Sequence, residues 1–89
     1  MGTVIIKAKL SPESPETNID EWEPKVKEII SKDGEFMGFN KQPVGFGLNV
    51  AIIIFIIPDK AEGLMDRIEN ELREIEGVSD FRVESMDLE

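Results

Sequence analysis

Leu48-Asn49-Val50-Ala51-Ile52-Ile53-Ile54-Phe55-Ile56-Ile57 is the stretch on which the fold turns. Every residue but Asn49 is apolar, and most are β-branched or aromatic. The eight-residue apolar run from Val50 to Ile57 is too short to span a bilayer, which takes about 20 residues as a helix. A short apolar run rich in isoleucine reads as a strand with both faces covered, the signature of a central strand. Pro58-Asp59 stops it, and Val44-Gly45-Phe46-Gly47 precedes it as a bend or loop.

Upstream, Thr3 to Leu10 alternates, with Val4, Ile6, Ala8 and Leu10 on one face and Thr3, Lys7 and Lys9 on the other. That is a half-buried strand. Ser11 to Thr17 (SPESPET) holds two prolines and reads as a loop. From Asn18 to Ser31, Ile19, Trp22, Val26, Ile29 and Ile30 recur at helical spacing. Asn18 with Glu21, or Asp20 with Glu23, offers a capping box, and Pro24 favours the later start. Lys32-Asp33-Gly34 ends the helix, and Glu35 to Pro43 is expected to be a second strand.

Downstream, Leu64, Ile68, Leu72 and Ile75 predict a second helix over Glu62 to Glu76, with Gly77 as its C-terminal cap. Val78 to Met86 gives the last strand, with Phe81 and Val83 on one face. The order is β-α-β-β-α-β. It predicts an α+β ferredoxin-like βαββαβ sandwich: a four-stranded antiparallel sheet, strands 1 and 3 in the middle, two helices on one face. Strand 3 is apolar on both sides, so part of its surface is expected on the face the helices leave open. Such a patch serves a partner, or the stems of Lys7 and Lys9 cover it.

The composition narrows function more by exclusion than by indication. With 89 residues the chain makes one domain, residues 1–89. No cysteine and no histidine exclude disulfides, thiol catalysis and the usual zinc, haem and iron–sulfur ligands. Nineteen acids against ten bases give a net charge of −9, so direct nucleic-acid binding and an anionic membrane surface are poor expectations. The RNA-recognition sandwich shares this topology, but it needs aromatics on its central strands, and strand 1 has none. No signal-peptide pattern is legible, and a cytoplasmic location is the expectation.

There is no GxxxxGK[ST] phosphate loop. The carboxylates scatter over helix surfaces and loops and read as solvated. Asp59, Glu62 and Asp66 could meet at one divalent ion, but they lack the repeated ligands and central glycine of a calcium loop. No metal, no cofactor and no bond-making activity are therefore expected. Gly45-Phe46-Gly47 sets an aromatic between two glycines, which add no bulk of their own. On the residues alone, Phe46 folding back into the core is the simpler reading, and an exposed contact residue is the alternative.

The chain resembles the archaeal elongation factor 1-beta proteins and the C-terminal exchange domain of their eukaryotic counterparts. The resemblance rests on KLSPESPETNIDEW, on QPVGFGLNVAIIIFII and on IEGVSDFRVESMDLE, and so covers nearly the whole chain. It implies a guanine-nucleotide exchange factor that acts on the GDP form of elongation factor 1-alpha, loosens the nucleotide and Mg²⁺ site, and lets GTP replace GDP. It implies partner contact at Val44, Gly45, Phe46 and Gly47, and so reverses the reading of Phe46 as core. It implies a second contact at Met86, Asp87 and Leu88. There the chain departs from the eukaryotic pattern, which has a lysine where Leu88 stands.

A small-ligand-binding regulatory module of the same sandwich would act as a dimer with its ligand at the seam. The exchange-factor reading expects a monomer on its own. An acylphosphatase-like enzyme would need a basic residue in Ser11 to Thr17, and none is there.

Overall fold

The computed structural model describes residues 2–59 and 63–88. Its elements are β1 (Thr3–Pro12), a 3-10 turn (Ile19–Glu21), α1 (Trp22–Ser31), β2 (Glu35–Gly45), β3 (Leu48–Pro58), α2 (Leu64–Arg73) and β4 (Val78–Leu88). The sheet order is β2-β3-β1-β4 and every neighbouring pair is antiparallel. The ferredoxin-like sandwich expected from the sequence is the fold observed, with β1 and β3 in the middle.

Register explains why the apolar strand belongs there. Ile6 pairs with Phe55, Ala8 with Ile53 and Leu10 with Ala51, and all six residues are fully buried. Trp22, Val26 and Ile30 of α1 and Leu64, Ile68 and Leu72 of α2 close over this face. Each large side chain so buried contributes about 1.5–3 kcal/mol of transfer free energy. Trp22 is 1% exposed, and its indole Nε1–H donates to the carbonyl of Glu76 at 3.2 Å, tying α1 to the α2–β4 connection.

On the opposite face Ile5 pairs with Ile56, Lys7 with Ile54 and Lys9 with Ile52. Val50 and Ile52 are buried and Ile54 and Ile56 half-buried, so strand neighbours screen much of this apolar row. Among the described residues, the well-exposed large apolar ones are Met37, Val44, Phe46, Met86 and Leu88. Apart from Met37, they sit at the two ends of the sheet rather than across its open face.

Several boundaries move. Pro24 lies in the first turn of α1, where its missing N–H costs little, and α1 starts at Trp22 as the later-start reading requires. The Asn18–Glu21 box does not form, because Asn18 makes no side-chain cap hydrogen bond, and the N-cap of α1 is Glu21 rather than Asp20, whose carboxylate accepts from Lys41 instead. The helix predicted over Glu62 to Glu76 ends at Arg73, and Glu62 lies outside the described residues. Ile75 is buried from the turn that follows, which is why its spacing mimics a helix. Gly77, at φ 92°, caps no helix but turns the chain into β4, where the Val78 N–H donates to the Ile75 carbonyl at 3.1 Å.

Both outer strands run on past their predicted ends, β2 to Gly45 and β4 to Leu88. The β4 alternation is broken by a bulge: Lys7 pairs with Ser85 but Ala8 with Val83, leaving Glu84 as the extra residue.

Candidate functional site

The β2–β3 hairpin is the first candidate. β1 last pairs with β3 at Leu10–Ala51, whereas β2 and β3 stay paired out to Gly45–Leu48. Residues 42–50 therefore project beyond the three-stranded part of the sheet as a two-stranded arm. From Gln42 to Pro58 the chain carries no charge, in a protein one-third of whose residues are charged.

The arm closes with a two-residue turn, Phe46-Gly47, inside the Gly45–Leu48 pair. A type I′ two-residue hairpin loop needs φ > 0 at both central residues, and Asn-Gly is the usual solution. Here φ is 55° at Phe46 and 77° at Gly47, with Gly45 at 100°. Gly45 and Gly47 meet this demand at no steric cost. Phe46 does not: a bulky residue in the left-handed region is an outlier, and such strain costs about 1–3 kcal/mol. Yet Phe46 is 100% exposed and buries nothing in return. The residue-only reading of Phe46 as a core side chain is thus corrected. At the end of a projecting arm its ring cannot reach the core. Val44, beside it, is 49% exposed.

The second candidate is the end of β4. Met86 pairs with Ile6, Asp87 with Ile5 and Leu88 with Val4. Strand alternation puts Met86 and Leu88 on the helix-side face and Asp87 on the open face. Met86 is 54% and Leu88 73% exposed, beyond the cover of the helices.

These two groups do not meet. Leu48 adjoins the turn, whereas Ile56 and Ile57 of the same strand lie level with the Asp87 and Leu88 pairs. Eight residues of strand separate those levels, about 27 Å. The protein's long dimension is 43 Å. The structure gathers Val44, Gly45, Phe46 and Gly47 at one end and Met86, Asp87 and Leu88 at the other.

Sequence reasoning missed one residue near the arm. Lys41, at the root of the arm, places its Nζ 3.1 Å from Asp20 Oδ2 on the 3-10 turn. The cue was only that Lys41 is the last charge before the uncharged run. Of the Asp59, Glu62 and Asp66 trio, Glu62 lies outside the described residues. Among the described residues no group of three or more potential metal ligands occurs, and no polar or charged side chain is buried. No described helix is long and apolar enough to cross a membrane.

A family profile described as the EF-1 guanine nucleotide exchange domain matches residues 5–89. An elongation factor 1-beta of Hyperthermus butylicus is 36% identical over 97% of this chain and 94% of its own length. One from Ignicoccus hospitalis is 33% identical over 97% of this chain and 92% of its own. One from Archaeoglobus fulgidus is 33% identical over 99% of both. Among solved structures, the C-terminal domain of the MgtC protein from Mycobacterium tuberculosis superposes with a TM-score of 0.57 at 15% identity, covering all of this chain and 88% of that one. That likeness is one of fold alone.

Proposed function

Because the chain belongs to the EF-1 guanine nucleotide exchange domain family, we propose that its target is the translation GTPase elongation factor 1-alpha in its GDP-bound form. It speeds release of GDP so that GTP can enter. The observation that carries this reading is Phe46, fully exposed and held in a left-handed conformation by a turn that asparagine would fit better. A side chain kept at a stability cost with no internal contact serves something outside the chain.

The physics is linkage. A partner that binds the nucleotide-free GTPase better than the GDP form weakens GDP by the same factor. No bond is made or broken by the exchange factor, so no general acid, base or nucleophile is required. Magnesium on the GTPase bridges phosphate oxygens and switch residues, and loosening it loosens both. Leu88 cannot bring a cation to that site. The arm, with Phe46 at its tip, therefore does most of the work, and Val44, Gly45 and Gly47 shape its contact. Met86, Asp87 and Leu88 make a lesser contact at the far end. The protein works as a monomer in the cytoplasm, without cofactor, nucleic acid or membrane.

The test loads elongation factor 1-alpha with a fluorescent GDP and follows its release in excess GTP. Substoichiometric protein should accelerate release strongly. Phe46→Ala should remove most of the acceleration, and deletion of residues 87–89 little of it. The reverse ranking would sink the assignment of roles. No acceleration of an active GTPase would sink the function itself, and a dimer by gel filtration would then favour the ligand-binding module.

A further inference from the structure

We infer that the Lys41–Asp20 ion pair is a positioning device that sets the angle of the β2–β3 arm, and with it the reach of Phe46. The inference rests on the reading that the arm's tip is the working contact. Lys41 pairs with Ala51 at the last level where β1, β3 and β2 still run side by side, so it sits where the arm leaves the sheet. Beyond it, residues 42–47 are exposed, and among the described residues β3 alone pairs with them. Two-stranded ribbons without a third strand are marginal and free to twist and swing.

Asp20 is a firm mount for such a tether. It stands between Ile19 and Trp22, which are 5% and 1% exposed, so its backbone is fixed by the core. Its carboxylate nevertheless projects to solvent, with 66% of the side chain exposed, and meets Lys41 Nζ at 3.1 Å. Lys41 shares the helix-side face with Phe39 by strand alternation, so the pair draws the root of the arm toward the 3-10 turn.

The leverage is large. Phe46 lies five residues beyond Lys41, about 16 Å along the strand. A swing of about 10° at the root then moves the tip by about 3 Å. A misplacement of about 1 Å can cost two orders of magnitude where geometry is demanding. An exposed pair is worth little to stability, so its loss should leave the fold intact while the tip wanders.

The experiment measures fluorescent-GDP release from elongation factor 1-alpha with the full chain and with Lys41→Asp, Asp20→Lys and the double charge swap. Phe46→Ala serves as the control for the arm. Each single reversal should lower the exchange rate at limiting protein by roughly two- to fivefold with a nearly unchanged urea midpoint, and the swap should restore most of it. High salt should blunt the difference between wild type and single variants, because the pair is exposed. Single variants as active as wild type, with Phe46→Ala inactive, would overturn the tether and leave the function standing. Equal loss in both singles and in the swap would also overturn it, since a sequence-specific contact and not the pair would then be at work. Wild type without activity would overturn the function on which the tether rests.

Discussion

Phe46 stands fully exposed at a φ of 55°, a conformation that no contact within the described residues repays. An aromatic beside glycines in a small protein usually serves the core, and nothing in its composition says otherwise. The decisive information is that Phe46-Gly47 forms a two-residue loop, which requires the strand lengths on either side. Phe46→Asn suits the positive φ of 55°. It should raise the melting temperature by several degrees, about 1 kcal/mol, while exchange is lost. A calorimetric scan beside the nucleotide-release assay checks both halves, and a lower melting temperature would contradict the strain.

Gly77 gives the converse case. A Cβ there would lie 2.9 Å from Thr17 Cγ2, at a φ of 92°. Gly77→Ala should lower stability by about 1–3 kcal/mol, visible as an earlier urea transition, with exchange at 25 °C retained.

Among the elements, the central strands were legible because burial on one or both faces writes itself into alternation. The outer strands were legible only in part. β4 loses its alternation at the Glu84 bulge, yet pairing continues to Leu88 because β1 offers Val4 and Ile5 as partners. A partner strand's unused hydrogen bonds leave no mark in the sequence of the strand that takes them. The end of α2 was hidden for another reason, since Ile75 packs at the helical period from a turn.

The two helices are also joined by charge. Arg67 of α2 bonds both Glu71, one turn on, and Asp33, just past α1, while Lys32 reaches Glu71 at 3.4 Å. All four groups are at least partly exposed, so Arg67→Ala should cost only about 1 kcal/mol at low ionic strength and less in salt. Urea midpoints of wild type and variant should converge in concentrated sodium chloride. A gap that persists there would assign the effect to packing of the arginine stem.

At the scale of the whole molecule, the two candidate contact groups, Val44 to Gly47 and Met86 to Leu88, occupy opposite ends of one continuous sheet. A single partner touching both must present surfaces about as far apart as the sheet is long, roughly 27 Å. The tip itself is uncharged, whereas the molecule carries a charge of −9. Electrostatics should therefore govern encounter and apolar contact should govern residence. Stopped-flow binding to elongation factor 1-alpha at increasing salt should change the association rate far more than the dissociation rate. A dissociation rate that responds as steeply as the association rate would put charge, and not the apolar tip, at the centre of the contact.

Trp22 has a further consequence, for spectroscopy. It is the sole indole in a chain without tyrosine, and it is sealed in the core. Native emission should be blue and shielded from aqueous quenchers, and it should report unfolding while staying silent when the arm docks. Phe46→Trp would add a second indole at a fully exposed position. Its red, quenchable emission would shift and dim in accessibility on engagement, so one photon channel would follow folding and the other recognition.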